Sequence, residues 1–324
     1  MLLKLSFPFV SQCLLLALCL ASPSSQAQNF PSKPITVVVP FAAGGSGDLV
    51  ARTVADQLRE RLKNPVLVDY RPGANTLIGT HFVQKAAPDG YTLLVSGSSF
   101  VTGAAIDPNA QYHPLNDFVP ITEAVSVPQL VVVRNQFPAK DIAEFVAYAR
   151  KNPGRVTFGS SGMGNVLQLA TFKRALGLEI ELIQYKGAAQ AITDLVGGQI
   201  DMMIDGAGTS MPRVRGAQIR SLAIMPAQRS ALAPEVPTLT ETVAPGYSYS
   251  EFLGVVAPAG VPVAIQNRLA QEISAGLRTA EVRERLTGLF MEANGNTPEQ
   301  FGMRLKHDFE NYVRLAKELG LKGG

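Results

Sequence analysis

Residues 35–62, ITVVVPFAAGGSGDLVARTVADQLRERL, decide the fold class of this 324-residue chain. The first five residues are almost all β-branched and apolar, which predicts a buried parallel strand, and Pro40 ends it because proline has no N–H to donate. From Val50 to Leu62, apolar residues recur at every fourth position, which predicts a helix with one apolar face. The stretch is therefore predicted to form a strand, a turn and a helix.

The turn between this strand and helix contains three glycines, Gly44, Gly45 and Gly47. Glycine lets the backbone turn sharply, and Ser46 or Asp48 can cap the helix that follows. Unpaired N–H groups would then face outward at the carboxyl end of a strand, where open α/β sheets bind ligands and an anion is favoured. We interpret the loop as an anion cradle, and an ordinary capped turn is the alternative. A dinucleotide site is not favoured, because Gly-x-Gly-x-x-Gly is not satisfied.

The first 27 residues have the pattern of a secretory signal peptide. Lys4 gives a basic start, residues 14–20 are apolar, and small residues precede the expected cleavage after Ala27. The apolar run is too short and too interrupted to predict a membrane span. We therefore expect a secreted protein of residues 28–324 that is not embedded in the membrane.

Composition excludes several classes of site. Cys13 and Cys19 both lie in the expected signal peptide, so the mature chain would have no disulfide, thiol nucleophile or thiolate metal site. Losing Lys4 would lower the formal net charge from +3 to +2, a balance that argues against nucleic acid as a partner. The three histidines are scattered singly, without the spacing of metal ligands, so we predict no metal and no cofactor.

The first third of the chain continues as a βαβαβ unit. Strands are predicted at residues 66–69 and 91–95. A helix at about 77–87 lies between them, with Ile78, Phe82, Val83 and Ala86 on one apolar face. The unit is typical of α/β proteins.

Two segments after the third predicted strand are interpreted as irregular. Residues 96–99 are expected to form a hydroxyl-rich loop, including Ser98 and Ser99, on the same side as the glycine loop. Residues 103–120, which are rich in Pro, Asn and Asp, are expected to be a surface excursion.

A second βαβαβ unit repeats the first. Residues 159–165 form a glycine- and serine-rich turn between a strand at 156–158 and a helix from Val166, and strands at 180–184 and 200–204 follow. If the two units are lobes facing each other across a hinge, both helix N-termini point into one cleft. This arrangement predicts a cleft that grips an acidic ligand from both sides.

Six short runs occur in order along the chain: VPFAAGGSGD at 39–48, RPGA at 71–74, APDGYTLL at 87–94, YKG at 185–187, GQID at 198–201 and VPT at 236–238. They resemble the Bug family, the periplasmic solute receptors of tripartite tricarboxylate transporters. The resemblance extends over essentially the whole mature chain.

The resemblance implies an α/β, two-lobed periplasmic binding protein, a Venus flytrap of type II-like architecture. Each lobe would be a mostly parallel sheet flanked by helices, with lobe 1 at 28–126 plus 252–324 and lobe 2 at 127–251. The protein would act in the periplasm as a monomer, capture a small organic acid in the interdomain cleft and pass it to membrane permease subunits. It would carry out no covalent chemistry.

The resemblance also implies ligand-binding residues in both lobes. In the first lobe these are Phe41, Ala42, Gly44, Gly45, Ser46 and Asp48, joined by the neighbouring Ser98 and Ser99. In the second lobe they are Ser160, Ser161, Gly162 and Gly164, with Asn165 at a position that is often serine in the family. Asp205 ends a predicted strand, where it either meets an amino group of the ligand or caps the next turn.

Two other functional classes stay open at this point. The closed state of such a protein could report a solute to a membrane receptor, which would make it a sensor. A secreted serine hydrolase using Ser161 or Ser98 would need a spatial triad, because neither glycine-rich loop satisfies Gly-x-Ser-x-Gly.

Overall fold

The computed structural model describes residues 30–160, 163–185 and 188–320. The predicted signal peptide and two predicted site residues, Ser161 and Gly162, lie outside this part. In chain order the elements are β1 (Ile35–Val39), α1 (Ser46–Leu62), β2 (Val66–Tyr70), a 3₁₀ turn (Ala74–Thr76), α2 (Leu77–Gln84), β3 (Thr92–Gly97), α3 (Ser98–Ile106), β4 (Phe118–Val127), β5 (Gln129–Arg134), α4 (Ile142–Lys151), β6 (Val156–Ser160), α5 (Met163–Leu176), β7 (Ile180–Gln184), α6 (Ala188–Val196), β8 (Met202–Gly206), α7 (Ala207–Arg215), β9 (Ile219–Ile224), α8 (Leu239–Thr242), β10 (Glu251–Pro258), α9 (Val263–Leu277), α10 (Ala280–Thr287), β11 (Glu292–Ala293) and α11 (Pro298–Glu318). Among these helices, none has the length and apolar character needed to cross a membrane.

The strands form two separate mixed sheets. The first has six strands in the order β11-β4-β10-β3-β1-β2, and the second has five in the order β7-β6-β8-β5-β9. Strands β4, β5 and β10 run antiparallel to their neighbours, whereas β1 and β6 each lie between two parallel partners. The chain enters the second sheet between β4 and β5 and returns to the first at β10.

Helices cover both faces of each sheet. In β1, Val37 and Val39 pack with the α1 face that contains Val54, whereas Val38 belongs to the core on the opposite side with Phe301 of α11. All of these side chains are fully buried. The alternation along β1 is the period of a strand covered on both faces, as the sequence predicted.

Helix α2 buries a different face from the one predicted. Ile78 and Phe82 are 52% and 40% exposed, although Val83 is buried as expected. A Cβ at Gly79 would lie 2.9 Å from the Pro40 Cβ, so small residues of α2 face the sheet. The Phe82 ring instead packs against the Arg71 guanidinium, with 3.6 Å between the guanidinium carbon and the ring centroid.

The two segments interpreted as irregular are regular in part. That interpretation was wrong for residues 96–99, 103–106 and 118–120, whereas residues 107–117 form turns and coil between α3 and β4. Ser98 begins helix α3, and its Phe100 lies in the core. Residues 118–127 form β4, which pairs along its length with β10. The small residues of α3 are typical of a turn, so the local sequence did not predict a helix there. Their burial depends on the distant helix α11, which packs in the same core.

Candidate functional site

A cavity of about 630 Å³ is lined by residues from both sheets and their helices. Among the predicted site residues, those that line it are Phe41, Ala42, Gly45, Ser46, Ser98, Ser99, Gly164, Asn165 and Asp205. Gly44, Asp48 and Ser160 are not part of the lining, and Ser161 and Gly162 lie outside the described residues. The structure therefore brings most of the two predicted groups to one cavity.

The first glycine loop opens into this cavity at the start of α1. Gly45 is the N-cap, and no side chain caps the helix, so the prediction that Ser46 or Asp48 caps it was wrong. The first N–H groups of a helix have no partner within it, and here they belong to residues 46–48. Ser46 and Gly47 line the cavity, so this uncapped helix terminus is available to a ligand.

Asp48 holds the glycine loop in place from behind the cavity. Its carboxylate accepts hydrogen bonds from the Gly44 N–H at 2.7 Å, the Tyr70 hydroxyl at 2.5 Å and the Arg52 Nε at 2.7 Å. The hydrogen bond from Tyr70, followed by that from Gly44, holds the pKa of Asp48 below its usual value. With its acceptor atoms engaged, Asp48 positions the loop.

Phe41 closes one wall of the cavity next to the helix start. A Cβ added at Gly47 would lie 2.3 Å from the Phe41 Cδ2, so glycine is needed where the ring lies across the backbone. Gly44 has a φ of +87°, which other residues rarely adopt. These two glycines therefore set the path of the loop and the position of the ring.

A second helix terminus meets the same cavity at α3. Gly97 is its N-cap, again without a side-chain cap, and Ser98 is the first helical residue. Ser98 is 4% exposed and lines the cavity, and within the described residues its hydroxyl makes no hydrogen bond. Two helix N-termini and a buried hydroxyl donor thus converge on one side of the cavity.

The opposite side of the cavity is formed by α5 and by the end of β8. The Asn165 amide donates to the Gln168 Oε1 at 2.8 Å and to the Ile204 carbonyl at 3.3 Å. Asp205 accepts a hydrogen bond from the Ser210 hydroxyl at 2.6 Å, and burial raises the pKa of its carboxyl. Asp205 therefore lines the cavity and is bonded to a residue of α7, while its contact with an amino group of the ligand stays a prediction.

Sequence reasoning missed Gln129, Tyr249 and Glu251, which also line the cavity. Burial raises the pKa of Glu251, the Asp205 charge raises it further, and Arg304 opposes both effects. These three residues lie beside the predicted crossings between the lobes, near residues 126 and 251. Their place beside the predicted crossings could have identified them as candidate site residues from the sequence.

The sequence and the fold are similar to those of known solute receptors. The family model described as tripartite tricarboxylate transporter family receptor matches residues 50–321. Protein BugT of Bordetella pertussis is 33% identical over 307 residues, 94% of this chain and 94% of BugT. A structure from R. palustris with adipate is 30% identical with a TM-score of 0.76, over 90% of this chain and 99% of that one. MatC from Rhodopseudomonas palustris with bound malate is 29% identical with a TM-score of 0.73, over 88% of this chain and 99% of MatC. Such likenesses confirm the predicted two-lobed fold and the resemblance found in the sequence.

Proposed function

Because this chain belongs to the tripartite tricarboxylate transporter family of receptors, we propose that it captures a small organic acid in the cavity. The acid is then passed to the permease subunits of a membrane transporter. The family consists of binding proteins, so the serine hydrolase considered from the sequence is set aside. We also propose that the protein works as a monomer in the periplasm after cleavage behind Ala27.

The observation that carries this proposal is the convergence of two uncapped helix N-termini, those of α1 and α3, on one cavity. Free N–H groups at a helix start donate hydrogen bonds, and the helix dipole favours negative charge there. The Ser98 hydroxyl adds a further donor. A carboxylate placed here would receive several charge-assisted hydrogen bonds, which strengthen when water is excluded.

In our proposal, closure of two lobes excludes water from the cavity around the bound acid. The proposed lobes are residues 28–126 plus 252–324 and residues 127–251, and the two sheets are their cores. Closing would bring Gly164 and Asn165, at the start of α5, towards the glycine loop. The adipate and malate complexes of the two relatives support an organic acid as the ligand class.

The experiment is a thermal-shift screen of residues 28–324 against dicarboxylates, tricarboxylates, aromatic acids, amino acids and neutral controls. An acid at about a hundred times its dissociation constant should stabilise the protein by roughly 2.7 kcal/mol. A saturable shift with an acid but not with the neutral controls supports the proposal. Shifts that are confined to neutral compounds would contradict it.

A pair of glycine variants locates the binding. A Cβ at Gly45 meets only the Ala42 carbonyl oxygen, at 3.9 Å, so Gly45→Leu should fold and fill part of the cavity. The control is Gly197→Leu, at an exposed glycine outside the cavity lining. The Gly45 variant should lose the shift with the acid, and the Gly197 variant should keep it. Retention of full affinity by a folded Gly45→Leu protein would refute the site.

Transport itself needs a test in cells. Deleting the gene for this protein should abolish uptake of the acid identified in the screen, and the wild-type gene should restore it. The Gly45→Leu variant should not restore uptake, because it fills part of the proposed acid site. Unchanged uptake after the deletion would contradict the role in transport.

A further inference from the structure

The cavity has acidic side chains and no basic ones. Asp205 and Glu251 both line it, and among the described lining residues there is no Lys, Arg or His. An organic acid with a carboxylate at each end would place its second carboxylate in a cavity that already holds two. Like charges at close range in a partly desolvated site repel each other strongly.

The two acidic residues lie where the chain crosses between the sheets. Glu251 pairs with Val127 across β10 and β4, and Gly206, next to Asp205, pairs with Gln129 across β8 and β5. The Gln129 amide donates to the Val127 carbonyl at 3.2 Å, and a Cβ at Gly206 would lie 3.6 Å from the Gln129 Nε2. The strand pairings thus bring the acceptors Asp205, Gln129 and Glu251 to the same end of the cavity.

Within the part of the chain that the structure describes, several acceptor atoms in this group have no donor. Gln129 is only 4% exposed and lines the cavity, yet its Oε1 makes no hydrogen bond within the described residues. In that same part of the chain, the Glu251 carboxylate makes no hydrogen bond or ion pair, and Asp205 receives one side-chain hydrogen bond, from Ser210. Acceptor atoms that face a cavity without a protein partner are left to water or to a ligand, so these atoms can receive hydrogen bonds from a ligand that carries donors.

The other end of the cavity has the opposite character. The N-termini of α1 and α3 and the Ser98 hydroxyl offer hydrogen-bond donors and a positive potential. One cavity therefore presents a donor end and an acceptor end. A ligand that matches both ends is negative at one side and positive at the other.

We propose that the captured acid also carries a protonated amine, so that the ligand is an amino acid or a similar zwitterion. Its carboxylate lies at the α1 and α3 termini, and its ammonium group donates hydrogen bonds to Asp205, Glu251 and the Gln129 Oε1. This inference rests on the proposed function, because it assumes the same acid site. It names the chemical class of the acid.

The test compares matched ligands by isothermal titration calorimetry on residues 28–324. The panel pairs each standard amino acid with its des-amino counterpart, as glutamate with glutarate and aspartate with succinate. At least one amino acid should bind at least about tenfold more tightly than its counterpart, because the counterpart brings no donor for the acceptors that face the cavity.

Two variants test whether the acceptor end of the cavity causes the preference for amino acids over their des-amino counterparts. Asp205→Asn and Glu251→Gln should each weaken binding of the preferred amino acid at least about tenfold, the loss expected when a buried charge pair is broken. Affinity for the des-amino counterpart should stay equal or rise. The control is Glu181→Gln, an exposed residue outside the lining that undergoes the same chemical change and should alter neither affinity.

The possible results distinguish failure of the amino-acid inference from failure of the proposed organic-acid function. If the des-amino acids bind as tightly as the amino acids to the wild-type protein, the inference is overturned and the organic-acid function stands. If neither kind of acid binds while a neutral compound does, the proposed function itself is overturned. Should Asp205→Asn not fold, Glu251→Gln and the wild-type ligand pairs carry the test.

Discussion

Asp48 organises the glycine loop, and its replacement tests how the loop is held. The Asp48 carboxylate accepts three hydrogen bonds, from the Gly44 N–H, the Tyr70 hydroxyl and the Arg52 Nε. In Asp48→Asn the side chain keeps its shape but has one acceptor oxygen, and its NH₂ group must face at least one of these donors. The variant therefore loses at least one hydrogen bond and the charge that strengthens the others.

The expected cost follows from these bonds. Hydrogen bonds to a charged group contribute about 1.5–3 kcal/mol each, so Asp48→Asn should lower the free energy of unfolding by about 2 kcal/mol. The Arg52 ion pair adds little, because the Arg52 side chain is 60% exposed. Urea denaturation at pH 7 measures this difference. Affinity for the acid should fall as well, because the loop that presents the α1 terminus is less well held.

A neighbouring aspartate provides the control. Asp56 lies on the same helix, and within the described residues its one ion pair is with Arg59; both side chains are half exposed. Asp56→Asn should cost less than about 0.5 kcal/mol. The pKa of Asp48 is lowered in the folded protein, so its contribution is present above its ordinary pKa, about 4, and is lost as the pH falls through the folded value. Equal losses for the two variants at pH 7 would refute the assigned role of Asp48.

Three further predictions concern stability and the shape of the cavity. Arg304→Met leaves the buried Glu123 without its 2.9 Å ion pair and should lower the free energy of unfolding in urea by about 3–5 kcal/mol. Gly47→Ala forces the Phe41 ring to move and should cost about 1–3 kcal/mol, with weaker acid binding in calorimetry. Burial raises the pKa of Asp205. The Asp205 carboxyl therefore binds a proton more tightly in the folded protein than in the unfolded chain. Because of this difference, Asp205 makes the free energy of unfolding fall as the pH rises above about 4. Replacing it with Asn should flatten that slope.

Each of these predictions has a matched control. Lys306→Met removes only an exposed pair at 3.9 Å and should cost less than about 0.5 kcal/mol. Gly164→Ala adds a methyl group with no described atom within 4 Å, at another lining glycine, and should not destabilise the protein. The wild-type protein is the reference for the Asp205 slope. If Arg304→Met or Gly47→Ala lowered the free energy of unfolding no more than its control, the contact assigned to that residue would be refuted. If the unfolding free energies of Asp205→Asn and the wild-type protein changed equally with pH, the effect assigned to Asp205 would be refuted.

The first βα unit could be predicted because its signals are local. The β-branched run of β1 and the four-residue repeat of α1 lie within residues 35–62, and the core that they form needs no distant partner to be inferred. The glycine loop between them was placed at the cavity for the same reason, since strand ends and helix starts determine where it lies.

The acceptor end of the cavity could not be predicted because it depends on long-range pairing. Glu251 meets Val127 and Gln129 meets Gly206 only after the strands are assembled into two sheets. Nothing local in the sequence marks Gln129 as buried or Glu251 as unpaired. Asp205 could be predicted as a site residue because its place at the end of a strand is visible in the local sequence. The residues near it that determine its chemistry come from distant segments and could not be predicted.

Helices α2 and α3 show the limit of apolar periodicity. In α2 the exposed aromatic ring of Phe82 is held by Arg71, so a large apolar residue marks the outer face. In α3 the small and hydroxyl-bearing residues are buried under α11, which lies almost two hundred residues further along the chain. In both helices, contacts with distant segments override the local pattern.

The central claim is that the acid binds in the cavity between the two sheets. The sequence has no tryptophan, so Leu289→Trp would place the single tryptophan of the chain at a half-exposed position in the cavity lining. Titration of an acid that stabilises the protein should change the tryptophan emission saturably, at the dissociation constant found by calorimetry. An acid that stabilises this variant but leaves its emission unchanged at saturation would show that binding occurs elsewhere.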